Sequence, residues 1–143
     1  MLKKILGIAQ AKSPERPEKS QIERALAYIA AQLPEARWMA VVTCDGLLCG
    51  TLPSRSIIEQ DRISAMSAAI LSLGERIAGE LQDGKLQYSL IAGAEGMTLV
   101  LVLSQDYVLT LGLNREISVH TVFERLRESI TPLLRTLQLD SWL

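Results

Sequence analysis

The chain has 143 residues, of which 48% are apolar and 4% aromatic, and its 15 basic and 16 acidic side chains leave a formal charge of -1. This length and apolar content suffice for one domain with one core. The balanced charge lacks the basic excess that binds nucleic acid, so we expect no nucleic-acid partner. The longest apolar run, Met97 to Leu103, is far too short for a membrane-spanning helix, and the sequence predicts a cytoplasmic protein without a transmembrane segment.

Residues 1–19 are predicted to be a flexible leader and linker, and residues 20–140 to be one folded domain. The leader starts with a short basic and apolar piece that contains Leu2, Ile5, Leu6 and Ile8. A polar stretch with two prolines follows and opposes helix formation. An untethered tail and a segment that touches a membrane or a partner are both compatible with this composition.

The first folded element is predicted to be a helix from Ser20 to Pro34. Ser20 and Glu23 have the spacing of a capping box, and apolar residues recur behind them at helical intervals. Two strand-like runs follow, from Trp38 to Cys44 and from Leu47 to Leu52. The Asp45-Gly46 pair between them predicts a two-residue hairpin loop, which would place Val42 opposite Cys49.

The two cysteines flank this predicted turn. In that register Cys44 and Cys49 lie diagonally on one face, near or beyond the reach of a disulfide. We therefore expect reduced thiols used for packing.

The rest of the chain predicts one long helix, three strands and a last helix. The long helix runs from Ile58 to Leu81, and the last starts near Ser118 and is bent or restarted by Pro132. The strands are predicted over residues 86–93, 97–103 and 107–113, and their short links require antiparallel neighbours. The element order is α-β-β-α-β-β-β-α, an α/β (α+β) domain, and the middle strand of the three is apolar enough to lie inside the sheet.

Two faces of the long helix carry few or no charges. One is an apolar stripe that we expect to cover the sheet, formed by Ile63, Met66, Ile70, Leu73, Ile77 and Leu81. The other is formed largely by small residues, with an arginine among them: Ala65, Ala68, Ala69, Ser72, Arg76 and Gly79. Small side chains allow another backbone to approach, so this second face is predicted to be a homodimer interface. An exposed helix rich in alanine is the alternative.

No catalytic, cofactor-binding or metal-binding residue is predicted. His120 is the only histidine and stands outside any cluster of metal-ligand spacing. Gly93 and Gly96 join two strands, whereas a phosphate-binding loop leads into a helix. We therefore expect a protein that is not an enzyme and needs no cofactor.

Several motifs in this order resemble the Roadblock (dynein light chain type) family over roughly residues 20 to 138. They are Asp45-Gly46-Leu47, Ser54-Arg55, Glu59-Gln60-Asp61, Ala68-Ala69, Gly84, Ile91-Ala92-Gly93 and Asp106-Tyr107-Val108-Leu109.

The resemblance implies a profilin-like fold with a five-stranded antiparallel sheet flanked by helices. It also implies a homodimer in which the long helices pack together and the sheets can join edge to edge. Family members act as scaffolds and regulators of Ras-like small GTPases. The bacterial ones resembling the gliding-motility regulator stimulate GTP hydrolysis without an arginine finger.

The corresponding partner surface is expected to include Arg55, Asp61 and Arg62, which would place polar contacts around an apolar centre. Two other interpretations stay open from the residues alone. One is a small-ligand sensory module of the same fold, and the other is a structural light chain of a larger complex.

Overall fold

The computed structural model describes residues 17–53 and 57–142, without the side chains of residues 57 and 58. The predicted leader therefore falls almost wholly outside the described residues. The helices are α1 (Lys19–Gln32), α2 (Ile57–Glu80), α3 (Val119–Ser129) and α4 (Thr131–Thr136). The strands are β1 (Ala36–Thr43), β2 (Leu48–Leu52), β3 (Tyr88–Ala92), β4 (Met97–Val102) and β5 (Tyr107–Leu113).

The five strands form one antiparallel sheet in the order β2-β1-β5-β4-β3. The fold class predicted from the sequence is confirmed. β4 lies inside the sheet, as its apolar sequence predicts, and β2 and β3 are the two edges.

The sheet has a helical layer on each face. Leu99, Leu101 and Leu109 belong to the larger core, which α1, α3 and α4 cover on one face. On the other face α2 crosses the sheet, and its residues Ile63 and Leu71 pack with a smaller set of valines and alanine. The sequence accounts for this division, because the strand residues alternate between Leu on the first face and Val, Ala or Thr on the second.

The start of α3 agrees with the prediction from the sequence, and the start of α1 differs from it. Ser118 is the N-cap of α3, and its hydroxyl accepts a hydrogen bond from the backbone N–H of Thr121. The chain then restarts as α4 with Pro132 in its first turn, as predicted. The predicted capping box of α1 is wrong: the helix begins at Lys19, one residue before Ser20, and has no side-chain cap.

The hairpin turn between β1 and β2 has a three-residue loop. The backbone N–H of Thr43 donates to Leu47, and that of Gly46 donates to Thr43. Gly46 has a φ of +94°, the left-handed conformation that closes a loop of this length. The predicted two-residue loop is wrong, and Val42 lies opposite Leu48 instead of a cysteine.

Cys44 and Cys49 are both thiols, as predicted.

The predicted packing of the apolar stripe of α2 against the sheet is confirmed for Ile63 and Ile70 and is wrong for the other members of the stripe. Ile63 is buried against the sheet, but Met66, Leu73, Ile77 and Leu81 are exposed. The helix is rotated about its axis relative to the orientation expected from hydrophobicity alone.

Candidate interaction surface

The side of α2 that faces the sheet is partly polar. Ser64, Ser67, Leu71 and Ala78 are buried there. The hydroxyl oxygens of Ser67 and Thr110 lie 2.9 Å apart and share a hydrogen bond. Ser64 donates to the backbone carbonyl of Gln60 at 2.7 Å. Because most side chains on this side of α2 are small or hydrogen-bonded, the helix can lie close to the sheet. Most of its larger apolar side chains point away from the sheet.

The larger apolar side chains of α2 form an exposed stripe. The exposed fractions are 54% for Met66, 55% for Leu73 and 49% for Ile77. These residues follow one another at intervals of seven and four, so they lie on one face of the helix. We call Met66, Leu73 and Ile77 the outer stripe. An aliphatic helix face left half in water is typical of a surface that packs against another protein.

The edge strand β3 also exposes apolar side chains, but on both faces of the sheet. Tyr88, Leu90 and Ile91 are exposed on it. Ile91 lies on the α2 side, whereas Tyr88 and Leu90 lie on the other side, where the Tyr88 ring packs against Phe123 of α3. Gly74 brings α2 close to the chain leading into β3, since a Cβ at that position would lie 2.8 Å from a methyl carbon of Leu86. Seven of the nine large apolar side chains exposed in the described part of the chain lie on α2, just after it or on β3: Met66, Leu73, Ile77, Leu81, Tyr88, Leu90 and Ile91.

The backbone of β3 has one side unpaired among the described residues. Gln87 accepts a hydrogen bond from Val102, and Gly93 donates one to Gly96, so alternate residues between them face β4. The N–H and C=O groups of Tyr88, Leu90 and Ala92 consequently point away from the sheet. Such an edge is a template for another strand.

A groove of about 330 Å³ runs between α2 and the sheet beside the outer stripe. Its apolar lining residues include Trp38, Met66, Ile70 and Ile91. Its hydroxyl groups include those of Ser67 and Thr110, which are already bonded to each other. The groove suits an apolar side chain of a partner better than a polar small molecule.

The small-residue face predicted as an interface borders the outer stripe. Ala65, Ala69, Ser72 and Gly79 are exposed, and Ala69 also lines the groove. Ala68 is partly buried beneath the hairpin turn, where its Cβ lies 3.5 Å from the position that a Cβ of Gly46 would occupy. Arg76 is exposed and pairs with Glu80 at 3.2 Å.

Of the residues predicted to contact a partner, Asp61 and Arg62 are exposed in the second turn of α2. Arg55 lies outside the described residues.

Over residues 17–53 and 57–142, no three His, Cys, Asp or Glu side chains form a group that could hold a metal ion. His120 is exposed on α3, 2.9 Å from Glu124. None of the described helices combines the length and the apolar character that crossing a bilayer requires.

Sequence reasoning missed the outer stripe and β3 as surface. A signal was present in β3. Its residues Tyr88 to Ala92 are apolar or aromatic except for Ser89, although the strand lies at the edge of the sheet. An edge strand with the composition of an interior strand indicates that something covers it.

A five-stranded antiparallel sheet crossed by one long helix, with three shorter helices behind it, defines the class of protein. The family model of the Roadblock/LC7 domain matches residues 30–112. The chain therefore belongs to the Roadblock/LC7 family, in agreement with the resemblance found in its motifs. A comparison with curated proteins finds no match.

Solved structures share this fold. Myxococcus xanthus MglB superposes with a TM-score of 0.73 at 13% identity, over 88% of this chain and 94% of that one. A Roadblock/LC7 domain from Streptomyces avermitilis gives a TM-score of 0.72 at 14% identity, over 81% and 97%. The gliding protein MglB of Thermus thermophilus gives 0.65 at 17% identity, over 82% and 91%. At these identities the likeness concerns the fold.

Proposed function

We propose that this protein is a homodimeric regulator or scaffold that binds a Ras-like small GTPase. One observation carries the proposal: a chain of the Roadblock/LC7 family exposes an apolar stripe along its long helix, beside an edge strand whose outward backbone groups are available for pairing. The family resemblance supplies the partner class. The surface supplies a physical reason for self-association.

The dimer forms through the outward side of α2. Soluble monomers rarely expose a contiguous apolar patch of this kind. Packing the outer stripes of two copies together removes Met66, Leu73 and Ile77 from water. The small-residue face lies at the border of this contact, where Ala69 also lines the groove beside the outer stripe. We place the centre of the interface on the outer stripe because it offers more apolar area.

The two sheets join through β3. In an antiparallel pair related by a two-fold axis, residues whose backbone points outward must pair with each other. The register that uses the whole strand places Leu90 opposite Leu90 of the other copy and Tyr88 opposite Ala92. Pairing of this kind satisfies the outward backbone groups of both strands and extends the sheet across the dimer.

The GTPase binds near the two-fold axis, on the surface formed by the paired long helices. Asp61, Arg62 and Arg55 provide polar contacts around an apolar centre, the usual arrangement in a protein interface. A contact across the axis allows one GTPase for two chains, and two separate contacts allow one for each chain. Any acceleration of hydrolysis comes from fixing the switch residues of the GTPase itself.

Removal of the arginines tests this mechanism. Arg55→Ala and Arg62→Ala should weaken binding and leave the hydrolysis rate at saturation largely intact. A loss of roughly 10³-fold or more in that rate, at unchanged affinity, would instead identify an arginine finger. If no Ras-like GTPase of the source organism binds in either nucleotide state, the small-ligand sensory module becomes the better proposal.

A further inference from the structure

A second groove lies at the end of the sheet where the described chain begins. It has a volume of about 530 Å³ and is bounded by the β1–β2 turn, the β4–β5 turn and the chain that follows α4. Pro17, the first described residue, lines it. Residues 1–16 are thus attached directly to its wall.

The groove is lined by both apolar and acidic side chains. Leu47, Tyr107 and Leu139 line it, and Leu47 is exposed. Asp45 and Asp106 line it as well, and both are exposed. Cys44 also lines the groove. Burial is the main cause that raises the pKa of its thiol, and the negative charges of Glu75, Asp106 and Asp45 raise it further.

The leader has the complementary composition. Its first eight residues contain four aliphatic side chains, Leu2, Ile5, Leu6 and Ile8, together with Lys3 and Lys4. Residues 9–16 connect this piece to Pro17 and, when extended, span up to about 26–29 Å. That length is ample to return the basic apolar piece to a groove that Pro17 already touches.

We propose that residues 1–8 dock within their own chain into this groove, with the aliphatic side chains against Leu47 and Tyr107 and the lysines beside Asp45 and Asp106. The occupant is a segment of the same chain, because opposite charge, matching apolar character and the short connection all favour it over a separate molecule. This inference is independent of the proposed GTPase binding.

Backbone amide chemical shifts of the full-length protein test the proposal. Lys4→Glu and Leu6→Ser should each move the amide resonances of Asp45, Leu47, Asp106 and Gln138 in a common direction, toward the undocked state. Lys12→Glu is the matched control, since it reverses one leader charge outside the docking piece and should leave those resonances in place. Asp106→Lys combined with Lys4→Glu should restore the docked positions.

Three outcomes would overturn the proposal. If the groove resonances are unchanged in both Lys4→Glu and Leu6→Ser, the leader does not dock there. Shifts that change on dilution assign the groove to the leader of another copy. Co-flotation with phosphatidylglycerol vesicles that is lost in Lys4→Glu, with unchanged groove resonances, assigns the leader to a lipid surface.

Discussion

The hydroxyl groups of Ser67 and Thr110 share a buried hydrogen bond between α2 and the centre of the sheet. This contact favours the observed rotation of α2 about its axis together with the burial of Ile63 and Leu71, because either hydroxyl alone would be buried without a partner. The outer stripe points away from the sheet as a consequence.

Loss of this hydrogen bond should destabilise the domain. Ser67→Ala leaves the Thr110 hydroxyl buried and unpaired, which should lower the free energy of unfolding by about 1–3 kcal/mol. Denaturant titration measures the change. Adding Thr110→Val removes the orphaned hydroxyl and should recover part of the loss, whereas a double variant less stable than the sum of the single changes would contradict this account.

The dimer interface can be located with two adjacent residues that lie about 100° apart around α2. Leu73→Glu places a carboxylate in the outer stripe and should weaken dimerisation by about 3 kcal/mol or more, roughly a hundredfold. Ser72→Glu carries the same charge on the small-residue face and should weaken it less. Light scattering across a dilution series measures both.

If Ser72→Glu weakened dimerisation more than Leu73→Glu, the interface would be centred on the small-residue face. A monomeric unmodified protein would refute self-association. Circular dichroism should show that both variants stay folded, since Leu73 and Ser72 are exposed in the single chain.

Proline substitution in β3 tests edge pairing. The N–H of Leu90 points away from β4, so Leu90→Pro should keep the fold and remove two of the hydrogen bonds that join the sheets. At about 0.5–1.5 kcal/mol for each bond, dimerisation should weaken by roughly fivefold to a hundredfold. Ser89→Pro is the matched control, because its N–H faces β4 and its loss should destabilise the domain itself. Dimers of unchanged affinity in folded Leu90→Pro would exclude the edge contact.

The ion pair between Glu35 and Arg125 should make stability depend on acid pH. The hydrogen bond from the Arg125 guanidinium, helped by a backbone hydrogen bond, lowers the pKa of the Glu35 carboxyl below its usual value. A lowered pKa in the folded state gives stability that is complete above the pKa of the unfolded state and is lost as the pH falls through the folded pKa.

Glu35→Gln should therefore cost about 0.2–1 kcal/mol near neutral pH, as expected for a partly exposed pair, and little at strongly acid pH. Thermal or denaturant unfolding followed across the acid range measures this convergence. A constant difference between the two proteins at all pH values would assign the effect to packing.

Much of the fold could be predicted because its signals are local. The apolar run of β4, the N-cap at Ser118 and the break at Pro132 each specify their own structure. The sequence predicts the hairpin, but its register depends on whether Gly46 closes a two-residue or a three-residue loop. The residue types Asp45-Gly46 are compatible with both.

The interaction surface could be predicted only in part. The sequence correctly indicates the long helix as its carrier, but hydrophobicity places the outer stripe on the sheet. Its true orientation depends in part on the hydrogen bond to Thr110, which is 43 residues from Ser67 in the sequence. The spacing of residues within α2 therefore carries no information about this hydrogen-bond partner. The contribution of β3 likewise follows from its position at the edge of the sheet.

The most direct test of the central proposal is a binding titration with the Ras-like GTPases of the source organism. Each GTPase would be purified, loaded with GDP or with a non-hydrolysable GTP analogue, and titrated by calorimetry into the unmodified protein and into Leu73→Glu. We predict binding to the unmodified dimer that is tighter in one nucleotide state, and strongly weakened binding to the variant. Absence of binding in both nucleotide states for every such GTPase would contradict the proposed function.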